Sequence, residues 1–75
     1  MIIIVKNVTN SDKFVEDLGI GIKALEEVEL SELFTFYQIS CSKDIIFFVQ
    51  NNELVINDGS RDLTFDEALK FLSPK

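Results

Sequence analysis

Residues 54–63 read LVINDGSRDL, and the rest of the chain is organised around the strand and turn they specify. Leu54, Val55 and Ile56 favour extended backbone, and Asn57, Asp58, Gly59 and Ser60 each favour a turn. Immediately beyond, Leu63-Thr64-Phe65-Asp66-Glu67 has the spacing of a capping box, with Thr64 as N-cap and Glu67 at the third helical position. The spacing predicts a helix over residues 65–72 that buries Phe65, Ala68, Leu69 and Leu72. Leu63 is placed to staple against Ala68, and Ser73-Pro74 ends the helix.

Upstream, Thr35 and Gln38 form a second capping box and predict a short helix over residues 36–40. Ser42 as N-cap, Asp44 at the positive end and Asn51-Asn52 as a stop predict another over residues 45–51. Its IIFFV core would also suit a strand, so strand remains the rival reading there. Residues 17–23 alternate, with Leu18, Ile20 and Ile22 on one side and Gly19, Gly21 and Lys23 on the other; residues 27–30 alternate again. The two are expected to form a hairpin, although Leu25-Glu26 supplies no glycine or asparagine for a tight primed turn. Phe14-Val15 is a short extended piece. Residues 2–8 form a strand buried on both faces at its start, closed by Asn10-Ser11-Asp12. The fold class is α+β: one domain over residues 1–75, with a small antiparallel sheet of about four strands (2–8, 17–23, 27–30 and 53–57) and three short helices packed against it.

Composition narrows the function. In 75 residues a core is only marginally sufficient, yet 47% hydrophobic content with seven Phe can offset the ordering entropy of folding. Thirteen acidic against seven basic residues give a net charge of −6, which argues against binding nucleic acid or an anionic membrane. The acidity is expected to serve solubility, the alternative being an acidic face that docks on a basic partner. With no His and the single Cys41, a zinc site is not expected and no Ser-His or Cys-His pair is available. Cys41 is expected to be a buried, inert thiol. The start, MIIIV, lacks a charged leader, and no segment reaches bilayer length, so the expectation is a soluble protein made in a reducing compartment.

Asp58, Asp62, Asp66 and Glu67 are the carboxylates nearest one loop. Gly59 at the glycine position of a calcium loop would put Leu54 and Ile56 where ligands belong, so that pattern fails. Gly19-Ile20-Gly21 lacks the third glycine and the following helix of a dinucleotide loop. The expectation is therefore no enzyme, no metal and no cofactor. Interaction is the remaining theme. Phe47 and Phe48 point about 100° apart on a helix, so the set Phe34, Phe36, Tyr37, Phe47 and Phe48 cannot all turn inward. Phe36, Tyr37 and Phe47 are candidate contact residues, and Arg61, the single arginine, pairs either with Asp58, Asp62 or Glu67 or with a partner's carboxylate. Thr35, Ser42, Asp58, Gly59 and Thr64 are the turn and cap residues.

Three pieces stand in one order: Leu18-Gly19-Ile20-Gly21-Ile22, then Val28-Glu29-Leu30-Ser31-Glu32-Leu33-Phe34-Thr35, then Leu54 through Thr64. Together they resemble a short module of tailed-bacteriophage virion proteins, found near the start of fibre-like or collagen-like chains. Its pattern runs "DLGITI", "PAGGTLDLTDLFS" and "LVVNDGTSDLS" before a last helix. The resemblance extends from Val5 to Leu72, with Asn57 to Leu63 its most specific part. Where the family carries proline and paired glycines, this chain has Lys23, Leu25 and Glu26, so that turn is reshaped. The sequence ends at Lys75, so a free-standing module is expected. The resemblance implies a virion structural or accessory role, made in the host cytoplasm, with capsid, tail or fibre proteins or further copies of the chain as partners. It transfers no catalytic residue. The alternative is a small acidic regulator or inhibitor that binds a basic site on a host protein.

Overall fold

A computed structural model describes residues 1–73, so the proline proposed to stop the last helix lies outside the described residues. The order of elements is β1 (Ile4–Asn7), β2 (Lys13–Val15), β3 (Ile20–Ile22), β4 (Glu27–Glu29), a 3-10 turn (Leu30–Glu32), α1 (Phe36–Ser40), α2 (Lys43–Gln50), β5 (Leu54–Asn57) and α3 (Phe65–Leu72). The α+β class and the three helices are as expected from the sequence. The sheet is not single: β4, β1 and β5 form one antiparallel sheet in that order, and β2 pairs with β3 in a separate ribbon.

That topology corrects the hairpin expected between residues 17–23 and 27–30. β3 pairs with β2, Val15 opposite Ile20, whereas β4 pairs with β1, Val5 opposite Val28. The reason lies in the connection. Glu26 N–H closes a turn on the Lys23 carbonyl at 3.0 Å, and within it only Leu25 takes a left-handed conformation, φ 62°. Such an unprimed turn splays its flanking strands instead of matching their twist, so the chain leaves the ribbon and enters the sheet. The extended piece read at Phe14-Val15 becomes β2, the partner that β3 needs.

All three N-caps read from the sequence, Thr35, Ser42 and Thr64, are formed. Thr35 and Thr64 each accept from the amide three residues on, Gln38 and Glu67, whose side chains reach back to the N-cap amides. Ser42 Oγ accepts from Ile45 N–H at 3.2 Å, which settles residues 43–50 as helix. At its far end Asn52 N–H reaches the Val49 carbonyl, Glu53 N–H the Phe48 carbonyl, and Asn52 sits at φ 60°. This is the double bond of a Schellman stop, with Asn in the position where glycine is usual.

The core joins Ile3, Val5, Val15, Ile22, Leu30, Ile39, Ile45, Val49, Leu54, Ile56, Leu63, Ala68 and Leu72. Two burial expectations are corrected. Ile2 is 45% exposed, and from Ile3 on burial alternates, with Ile3, Val5 and Asn7 buried and Ile4 and Lys6 half-buried, so the first strand packs one face on the core instead of two at its start. Leu69 is also exposed, while Phe71 packs against the core in its place. Ala68 and Leu72 set the inward direction of α3, and Leu69 and Phe71 flank it at opposite margins, where the longer ring reaches the core.

One buried polar residue fastens the sheet to the ribbon. Asn7, 2% exposed, donates through Nδ2 to the carbonyls of Ser11 (2.9 Å) and Ile22 (3.0 Å). Its Oδ1 accepts from the amide (2.9 Å) and hydroxyl (2.6 Å) of Thr9. With both amide hydrogens and the oxygen engaged, its burial leaves no group unsatisfied.

Candidate interaction surface

The turn between β2 and β3 is anchored on the start of α2. Asp17 Oδ1 accepts from the Ser42 hydroxyl at 2.8 Å, and Oδ2 from the amides of Lys43 (2.8 Å) and Asp44 (3.3 Å). Asp44 returns a bond, its Oδ2 accepting from Asp17 N–H at 3.2 Å. A carboxylate from a distant turn thus supplements the Ser42 cap, at the end of the helix where negative charge is favoured. Gly19, at φ 68°, lets this turn close on the Val15 carbonyl.

Because the turn is held there, an open cleft of about 320 Å³ lies between it and α1, lined by Asp17, Leu18, Phe34, Tyr37, Gln38, Cys41 and Ser42. Leu18 and Phe34 are half-buried and rest on the core. Tyr37 is 71% exposed. Tyr37 and Cys41, four residues apart, share one face of the helical turn. Cys41 is exposed, not buried, because as the C-cap of α1 it sits where the chain bends toward α2. The arrangement offers apolar carbon inside and a phenol, an amide and a carboxylate at the rim. Such a surface suits the seating of a partner's apolar side chain.

The other aromatic candidates divide. Phe36 turns inward and packs against the core. Phe47 is 57% exposed and meets Phe48 edge to face, ring centres 5.7 Å apart. Lys13 Nζ stands 5.9 Å over the Phe48 ring and pairs with Glu53 at 2.6 Å, so Phe48 belongs to an internal cluster and Phe47 to its outer rim. Phe14, 56% exposed, was not singled out; it lies across from Gly21 in the ribbon and covers that bare backbone.

Arg61 is committed within the chain. Its guanidinium forks onto both carboxylate oxygens of Glu67, Nη1 to Oε1 at 3.0 Å and Nη2 to Oε2. The Arg61 fork and the Thr64 amide together hold the Glu67 carboxyl at about 2. Ser60 and Arg61 amides donate to Asp58 Oδ1 at 2.9 and 3.1 Å and lower its pKa. Asn57 donates to Asp62, and Lys6 pairs with it at 2.9 Å, so Asp62 is also lowered while Lys6 is raised. Asp58, Arg61, Asp62 and Glu67 are thus engaged in holding the turn, its tie to Lys6 on β1 and the start of α3. Among the described residues no three His, Cys, Asp or Glu side chains come together in a metal-holding group.

Tyr37 is therefore the one expected contact residue that the fold delivers to a concave surface. Leu18, Gln38 and Cys41 join it without having been expected as contact residues; the alternation at Leu18 and the spacing of Tyr37 and Cys41 were the available signals. Comparison with family models, with curated proteins and with solved structures finds no match.

Proposed function

We propose that this chain is a non-enzymatic interaction module of a bacteriophage particle that seats a capsid, tail or fibre protein in the cleft beside Tyr37. One observation carries the interaction reading: a tyrosine 71% exposed stands beside the apolar carbon of Leu18 and Phe34 in a concave surface. Exposed aromatic carbon at a concavity is the usual anchor of a protein contact. The virion assignment is supported by the ordered likeness of residues 5–72 to the phage module. The test immobilises the chain, passes lysate of phage-infected cells over it, and identifies the retained proteins by mass spectrometry. Capsid, tail or fibre proteins lost on Tyr37→Ala support the reading. Retention that ignores Tyr37→Ala, with circular dichroism unchanged, removes the cleft as the site.

A second reading, the small acidic regulator of a host protein, is favoured by Glu26, Glu27, Glu29 and Glu32 following one another along β4 and its flanks. Joint substitution of Glu26, Glu27 and Glu29 by Gln should then abolish retention of a host protein. No effect would exclude it.

A further inference from the structure

We propose that the free edge of β4 is a docking site for an extended segment of a partner protein in which Lys or Arg alternates with an apolar residue. The inference does not rest on the cleft, and its failure would leave the Tyr37 surface untouched.

The backbone supplies the first half of the argument. Asn7 N–H donates to the Glu26 carbonyl at 2.9 Å, continuing the register in which Val5 faces Val28. Alternation in an antiparallel pair then directs the amide and carbonyl of Val28 toward β1, and those of Glu27 and Glu29 away from it. Among the described residues no strand lies on that side. The opposite edge of the same sheet is partly closed, because Leu63 N–H bonds to the Ile56 carbonyl at 2.8 Å and Asp62 bridges Asn57. A segment laid along β4 would meet a row of unused donors and acceptors, the basis of recognition by strand addition.

Side chains select the occupant. Glu27 and Glu29 lie opposite Lys6 and Ile4 on the sheet face away from the core. Val28 points the other way, opposite Val5, and is only half-buried because β4 is the edge. An added strand therefore needs an apolar residue beside Val28, to extend the core outward, and cations on either side of it to face the two glutamates. Lys6 does little to satisfy them: it is 4.0 Å from Glu27 but 2.9 Å from Asp62. A second copy is the wrong occupant. Antiparallel pairing of β4 with itself about Val28 would set Glu27 against Glu29 in both directions, and like charges directly opposite are destabilising.

The test uses the full chain and fluorescent peptides followed by anisotropy. One peptide alternates Lys and Val, one has the same composition in separate blocks, and one is the alternating peptide N-methylated at every other residue. The alternating peptide should bind, and hydrogen exchange should slow at the Glu27 and Glu29 amides. Blocked and N-methylated peptides should bind at least about tenfold more weakly, since they lose the register and the ladder bonds. Joint Glu27→Lys and Glu29→Lys substitution should weaken the Lys-Val peptide to a similar degree and admit a Glu-Val peptide in its place. Equal binding of all three wild-type probes would reduce the effect to net charge and overturn the proposal. So would an absence of binding, or self-association of the chain through β4.

Discussion

Two backbone positions show how single residues decide this chain's path. At Gly59, φ is 97°, a conformation that strains any side chain, and a Cβ would also stand 3.2 Å from three carbons of Ile2, which would have to give by a few tenths of an ångström. Gly59→Ala should cost about 1–3 kcal/mol of unfolding free energy, measured by urea titration. Leu25 is the opposite case: φ 62° with the side chain 70% exposed, so strain is carried with little packing in return. Leu25→Gly should stabilise by about 0.5–1 kcal/mol, the left-handed penalty less the added entropy of the unfolded chain. Loss of stability on that change would mean that Leu25 packing outweighs its strain. Gly59 was legible because Asn57-Asp58-Gly59-Ser60 is turn chemistry. Leu25 was legible only as the lack of a proper hairpin residue. Asn7 was not legible as the tie between sheet and ribbon, because Ile22, fifteen residues away, meets it only after both are built.

At the scale of elements, the caps were readable to the residue because capping is local: Thr64 and Glu67 find each other within one turn. Pairing was not, since whether β3 pairs with β2 or with β4 depends on an unprimed turn with Leu25 at its left-handed position and on the whole core. The cleft inherits that division. Tyr37 could be read as too many aromatics for so few inward faces, but its wall, Asp17 and Leu18, required the docking of a distant turn on α2. The cap of α3 also carries a pH dependence. Glu67 ordinarily titrates near 4.5 and is held at about 2, first by Arg61 and then by the Thr64 amide. A carboxylate lowered on folding stabilises the native state above its unfolded pKa, and that contribution fades as pH falls from 4.5 toward 2. Asp58 and Asp62, also lowered, act in the same direction. Thermal melts across that range should therefore show stability falling with acid, and Glu67→Gln should flatten the fall. High salt should reduce the difference between the two proteins, because the pair is at the surface. An identical acid profile in the variant would assign the loss to the other carboxylates.

For the molecule as a whole, the problem is to leave a sheet edge open without self-pairing. Among the described residues no strand pairs with the outer side of β4, and α2 packs on β5 at the other edge. Glu27 and Glu29 stand on that edge in a chain of net charge −6, so approach of a second copy is opposed both locally and by the overall field. Replacing them removes the guard and leaves a β-branched edge beside Val28. Joint Glu27→Val and Glu29→Val substitution should therefore produce concentration-dependent association through β4 in sedimentation velocity, growing with ionic strength as the remaining repulsion is screened. Wild-type protein should show no association through this edge under the same conditions. A variant as monodisperse as wild type would mean that the edge is protected by its short length, and that the glutamates serve only to choose a partner.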